Sequence, residues 1–221
     1  MRIINGVLIA SLSYMILSSD VSAHPNPSNI SQSHPLYLGV AAGLGSTVWD
    51  GLVPSARNQG PAMQTSTPVD VAEGGFVGGF VGGYEFSPFF AVEASYLRYP
   101  NAMVTFDEYS LFAYDHEGET KLYTHTETGS IMAKVMLNIP KTRLRFYSAA
   151  GVAEIHRWDM LNENLQLSPT FGVGFNYNIT DHIMAEFMGS YTAGYGESEI
   201  NPALDYVPFL YAGFFKLLYR I

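Results

Sequence analysis

The sequence predicts an all-β fold, an eight-stranded antiparallel transmembrane β-barrel, on three observations. Runs of alternating apolar and small or polar residues recur along the chain, the two-residue period of strands. They number eight, and their connections alternate between long and short, as in up-and-down barrels. Only 14% of the 221 residues are charged, 48% are apolar, and Tyr and Phe number 15 and 14. A wall of strands rather than a bundle of helices accounts for all three.

The N-terminus reads as an address. Arg2, the apolar run Ile3 to Leu17 and the small residues Val21-Ser22-Ala23 predict a signal peptide over 1–23, cleaved after Ala23. The run is too short and too weakly apolar to span a membrane as a helix. Residues 24–35, HPNPSNISQSHP, form a disordered leader by composition, leaving 36–221 as the barrel domain. With no cysteine there is no lipoprotein acylation site, disulfide or thiolate metal site. No metal and no cofactor is expected elsewhere. The net charge is −9, and it is unchanged once Arg2 and Asp20 leave with the signal. Such a chain repels nucleic acid.

The first strand alternates Leu36, Leu38, Val40, Ala42 and Leu44 with Tyr37, Gly39, Ala41 and Gly43. Residues 47–73 hold three prolines and no sustained period, so a long loop follows. GGFVGGFVGGYEFSPFFAVEASYLRY (74–99) is a hairpin turning at Ser87-Pro88, with Phe76, Phe80, Tyr84 and Phe86 on one face and Val77, Val81 and Glu85 on the other. Its glycines leave space for bulky neighbours across a narrow lumen. Residues 100–124 read as a second long loop, in which FDEYSLFAY could extend a strand. His125 to Ile139 alternates again, turns at Pro140 to Arg143, and returns through Leu144 to Ala153. A loop of about ten residues is expected after Trp158, then PTFGVGFNYNI, a tight turn at Thr180-Asp181-His182, and a strand from Ile183 to Tyr195. Residues 196–206 form the last loop before the strand from Phe209 to Ile221.

The segments GGYEFSPFFAVEASYLRY, GVGFNYNITDHIMAEFMGSY and GFFKLLYRI resemble the strand-turn-strand units of small bacterial outer-membrane barrels, similar to the membrane domain of outer-membrane protein A and to opacity-type surface proteins. The resemblance implies location in the outer membrane of a Gram-negative cell, and it implies a charged plug in the lumen. The chain departs from the family's pattern in ending on Ile221 rather than an aromatic residue, with no peptidoglycan-binding domain after it.

Parity places Glu85, Glu93, Lys134, Arg145, Glu186 and Lys216 on inward faces. The spacing of Glu93, Lys134, Glu186 and Lys216 from the short turns or the C-terminus puts them in one layer near the periplasmic end. Three acids and three bases predict a neutral hydrogen-bonded network, serving as a plug or as a gate whose pairs exchange. Phe86, Phe90, Tyr177 and Tyr219 at one end, and Tyr96, Tyr191, Tyr195 and Phe209 at the other, suit two membrane girdles. Asp107, Glu108, Asp115, Glu117, Glu119, Glu197, Glu199 and Asp205 make the outer rim acidic. His125 with Glu127, His156 with Glu154, and His116 beside Asp115 and Glu117 are the candidates for catalysis. None comes with a nucleophile pattern, so no catalytic residue is expected.

The expected function is non-enzymatic: membrane integrity or surface interaction through acidic extracellular loops. A narrow low-conductance pore and a lipid A-modifying enzyme are the alternatives. Expected partners are outer-membrane lipid and lipopolysaccharide, the barrel assembly machinery, and a surface or host partner reached through the loops.

Overall fold

The computed structural model describes residues 34–49, 68–194 and 207–221. The signal peptide, the leader up to residue 33, most of the first long loop and the last loop lie outside the described residues.

Eight long strands form the wall: β1 (Leu36–Val48), β3 (Gly75–Ser87), β4 (Phe90–Arg98), β6 (Lys121–Asn138), β7 (Leu144–Trp158), β8 (Glu163–Asn178), β9 (Ile183–Thr192) and β10 (Phe209–Arg220). Each pairs antiparallel with its neighbours, and β1 closes the ring by pairing with β10 as well as β3. The β6–β7 pairing joins the two halves. The fold is therefore a closed eight-stranded antiparallel barrel.

Inside and outside are inverted relative to a soluble barrel. Leu44, Phe76, Phe80, Phe86, Ile131, Val173 and Phe215 are exposed, while Glu85, Glu93, Lys134, Glu186, Lys216 and Arg220 are buried. The strand period of two allows this sorting on every strand, and it is the sorting of a barrel made to sit in lipid. In register across four strands, Phe215, Phe187, Phe175 and Phe146 form an aromatic ridge on the outer wall. The next outward row is small: Gly213, Gly189 and Ser148, with Val173 between the last two. An apolar groove of about 1060 Å³ follows that row along the outer wall.

One end of the barrel is tightly turned. The β3–β4, β6–β7 and β8–β9 turns all lie there, together with both ends of the wall. Ile221 donates its N–H to the Leu36 carbonyl at 2.8 Å, and Arg220 to the His182 carbonyl at 2.7 Å. Thr180 Oγ1 caps the β8–β9 turn by accepting from Ile183 N at 2.9 Å.

The opposite, extended end differs from the sequence reading in three places. The 47–73 segment contains a short strand, β2 (Asp70–Ala72), paired with β5 (Ala102–Thr105), which pairs in turn with the start of β6. FDEYSLFAY does not extend a strand: it forms a turn and then α1 (Leu111–Asp115). Ser110 is the N-cap, its Oγ accepting from Ala113 N at 3.1 Å. The polar cap and a buried Phe112-Ala113 pair outweigh the β-propensity of the aromatics. The loop of about ten residues after Trp158 is a four-residue turn, 159–162, because β8 begins at Glu163. Asp159 Oδ1 accepts from Leu161 N at 2.9 Å and Asn162 N at 3.0 Å, which closes the chain two residues on.

Candidate functional site

The lumen holds its charges in two layers, and Glu93, Lys134, Glu186 and Lys216 stand together in the first. In the first, Lys134 Nζ donates to Glu93 Oε2 at 2.8 Å and Glu186 Oε2 at 2.7 Å, and Lys216 Nζ to Glu93 Oε1 at 2.7 Å and Glu186 Oε1 at 2.8 Å. Each ammonium bridges both carboxylates, and each carboxylate takes both ammoniums, one per oxygen. Register explains part of this: Lys216 faces Glu186 directly across β10–β9, and Glu93 sits diagonally from Lys134 across β4–β6. The ring is neutral and closed on itself.

Two tyrosines brace the ring. Tyr37 donates its hydroxyl to Glu93 Oε2 at 3.0 Å, Tyr147 to Glu186 Oε1 at 2.7 Å, and Lys134 Nζ lies 4.2 Å from the Tyr147 ring centroid. Both rings need room. A Cβ on Gly83 would collide with the Tyr37 ring, and one on Gly174 with the Tyr147 ring. These two glycines therefore admit the side chains that hold the carboxylates.

The second layer lies toward the tight-turn end. Arg145 donates to Glu85 through both terminal nitrogens, at 3.0 and 2.8 Å, and through Nε to Asn176 Oδ1 at 2.8 Å. Arg220 donates to the same Glu85 Oε1 at 2.6 Å. Arg220 is absent from the six-residue network expected from sequence, although it lies on the inward parity of β10. Its inclusion changes the charge balance: this layer holds one acid and two bases, so the seven-residue network carries an excess of one positive charge instead of being neutral. The signal was present in the sequence, but a penultimate residue at the mouth of a strand reads as solvated. Closure of β10 against β1 and the β8–β9 turn is what buries it.

Beyond the ring, toward the extended end, hydroxyls line the lumen. Ser95 Oγ meets Ser130 Oγ at 2.7 Å and Thr170 Oγ1 meets Thr192 Oγ1 at 2.8 Å. Met132, Met188 and Phe214 fill most of the remaining space, leaving a cavity of about 20 Å³. That is room for about one water molecule.

The extended end carries a second apolar core of its own, with Trp49, Val104, Phe106, Phe112 and Leu122 buried together. The Arg157 guanidinium lies 4.6 Å from the Trp49 ring centroid and donates through Nε to Asp159 Oδ2 at 3.1 Å. Burial pulls the Arg157 pKa down, and the Asp159 carboxylate opposes that shift. The core props up α1 and the β2–β5 strand pair as a knob above the barrel wall.

Of the rim acids, Asp107, Glu108, Asp115, Glu117 and Glu119 are exposed on this knob. Glu197, Glu199 and Asp205 lie outside the described residues, as does Tyr195 of the girdles. Phe86, Phe90, Tyr177 and Tyr219 stand on the outer wall near the tight turns, and Tyr96 on the wall toward the other end. Tyr191 and Phe209 stack on each other with centroids 6.3 Å apart.

Each candidate histidine has a structural contact. His125 Nδ1 meets Asn101 Oδ1 at 2.9 Å and its ring stacks on Trp158. His156 pairs across the strands with Glu163, at 2.9 Å, instead of with Glu154 on its own strand. His116 Nδ1 meets the Phe112 carbonyl at 2.8 Å. Among the described residues no cluster of three potential metal ligands occurs.

No family model matches the chain, and no curated protein matches it in sequence. Solved structures with a similar backbone are β-barrels. The N-terminal β-barrel domain of OprF from Pseudomonas aeruginosa is 16% identical, with 85% of this chain and 98% of that one covered and a TM-score of 0.47. The outer membrane protein OprG from the same organism is 11% identical, with coverage of 85% and 97% and a TM-score of 0.49. Ail, the attachment invasion locus protein of Yersinia pestis, solved with the heparin analogue sucrose octasulfate, is 12% identical, with coverage of 85% and 99% and a TM-score of 0.43. The resemblance is one of fold alone. Closure of this barrel stands on its own strand pairings.

Proposed function

We propose that the chain is an exported, non-enzymatic barrel of a Gram-negative outer membrane, with its tight turns in the periplasm and its extended end outside, acting in surface interaction or membrane integrity. The observation that carries this reading is the pairing of an apolar outer wall with a lumen closed by interlocked ion pairs. Such a wall requires lipid around it, and such a lumen has no room for a solute. Lipopolysaccharide and the barrel assembly machinery are the partners that location supplies. The histidine contacts support a non-catalytic reading, since the partners of His125, His156 and His116 are an amide oxygen, a carboxylate and a backbone carbonyl rather than a hydroxyl nucleophile.

Two measurements test the proposal together. The outer-membrane fraction run unboiled and boiled on detergent gels should show a shift in mobility, and protease added to intact cells should cut only at the extended end. A chain recovered from the soluble periplasm, or one digested throughout, would sink the reading. The alternative, a narrow pore, depends on the ring opening. Planar-bilayer recording separates the two, because a plug gives a silent membrane and a gate gives discrete current steps.

A further inference from the structure

The outer knob presents an aromatic face that the barrel does not use. Tyr109 and Tyr114 are 85% and 86% exposed and Leu111 is 53% exposed, while the opposite side of α1 is buried through Phe112 and Ala113. Leu111 and Tyr114 are three apart on α1 and so share a face. Tyr109 and Tyr114 flank the Ser110 cap at the N′ and N4 positions, where apolar side chains ordinarily pack on each other. Here both stand in solvent.

This face is held in place. Phe106 and Phe112 stack with ring centroids 4.1 Å apart, Phe112 stacks on His116 at 4.5 Å, Asp107 Oδ1 accepts from Tyr109 N at 2.8 Å, and Phe106 N donates to the Thr120 carbonyl at 2.8 Å. A partner would therefore meet side chains on a backbone already ordered, which lowers the entropy lost on binding.

Charge selects the occupant. Around the tyrosines lie Asp107, Glu108, Asp115, Glu117 and Glu119, against Lys121 alone on this segment. A second copy would bring the same acidic knob and a chain of net charge −9. An anionic lipid surface would be repelled in the same way. Cations on a polypeptide are favoured by the carboxylates and, when seated on the ring faces, by the tyrosines as well.

We propose that the Tyr109–Leu111–Tyr114 face of the knob, ringed by Asp107, Glu108 and Asp115, is a docking surface for a cationic, arginine-bearing segment of a partner protein. The proposal rests on the outward orientation of the extended end and names the partner chemistry of the surface-interaction reading.

The test uses the full mature chain refolded in nanodiscs of zwitterionic lipid, with a fluorescein-labelled alternating Arg-Ser peptide as probe and an alternating Glu-Ser peptide as control, followed by anisotropy. The Arg-Ser peptide should bind, and the Glu-Ser peptide should not. Tyr109→Ser with Tyr114→Ser should weaken binding about tenfold or more, the size of effect expected when aromatic anchors are lost. Asp107→Asn with Glu108→Gln and Asp115→Asn should weaken it and flatten its salt dependence. Binding that survives loss of both tyrosines would mean diffuse adsorption to negative charge and would overturn the proposal. So would binding of the Glu-Ser peptide or preferential docking of the knob on phosphatidylglycerol vesicles. Every variant is checked for the unboiled mobility shift. A barrel that keeps the shift but ignores the peptide defeats this inference and leaves the reading of fold and location standing, whereas loss of the shift in the unsubstituted chain defeats the latter.

Discussion

Single residues in the lumen are bound to several partners, so their removal is felt at more than one site. Lys216 neutralises Glu93 and Glu186 together, and both carboxylates are fully buried. Lys216→Met should lower stability by about 3–5 kcal/mol, the usual cost of stranding a buried charge. Adding Glu186→Leu should recover part of that loss, because Lys134 and Glu93 then remain as a pair. Urea unfolding followed by the mobility shift measures both. Gly83→Ala tests the brace instead of the ring. It forces a methyl against the Tyr37 ring and should cost about 1–3 kcal/mol by overpacking, with no change in charge. If Gly83→Ala unfolds like the unsubstituted barrel, Tyr37 is not held as described.

At the scale of elements, the extended end shows how local chemistry decides between strand, turn and helix. β8 starts at Glu163, and its Leu165 and Leu167 continue the outward apolar parity of Phe171 and Val173. The alternation was there to be read, but Asn162, Asn164 and Pro169 look like loop residues. Pro169 is tolerated because β9 ends at Thr192, opposite Thr170, so the N–H that proline lacks falls where the β8–β9 ladder has already stopped. Protease acting from outside should therefore cut β7–β8 at the turn around Met160 and leave 163–168 intact. Cleavage spread through 163–168 would contradict the extended hairpin. Similarly, 102–105 and 121–124 are paired strands, so deleting 101–124 would open the small outer core. Replacing 107–119 with an Asn-Gly turn joins Phe106 to Thr120 where they already hydrogen-bond. That variant should keep the mobility shift, with a lower unfolding midpoint from the loss of Phe112 from the core.

For the whole molecule, the lumen decides what the barrel can pass. Two charged layers in series, the first neutral and the second with one positive charge in excess, stand between the tight-turn mouth and a cavity of about 20 Å³. The unsubstituted protein should be silent in planar bilayers, and Lys216→Ala with Glu93→Ala, which removes one cation and one anion from the ring, should admit small-ion current. Steady conductance from the unsubstituted chain would favour the pore over the plug. The outer wall, with its aromatic ridge and adjoining small-residue groove, presents an apolar face of the kind acyl chains can cover.

The period of two, the aromatic content and the scarcity of charge were enough to determine the barrel, its eight strands and the inward parity of Glu93, Lys134, Glu186 and Lys216, since side-chain direction in a strand follows from sequence position alone. Contact between strands distant in the chain, by contrast, depends on the closed barrel. Register and closure place Tyr37 on Glu93, Tyr147 on Glu186 and Arg220 on Glu85, and they divide the charges into two layers. The same holds outside the wall. An aromatic run flanked by acids reads equally as strand or loop, and it becomes a capped helix on a knob because Trp49, Phe106 and Leu122, drawn together by the closed barrel, offer Phe112 a place to be buried.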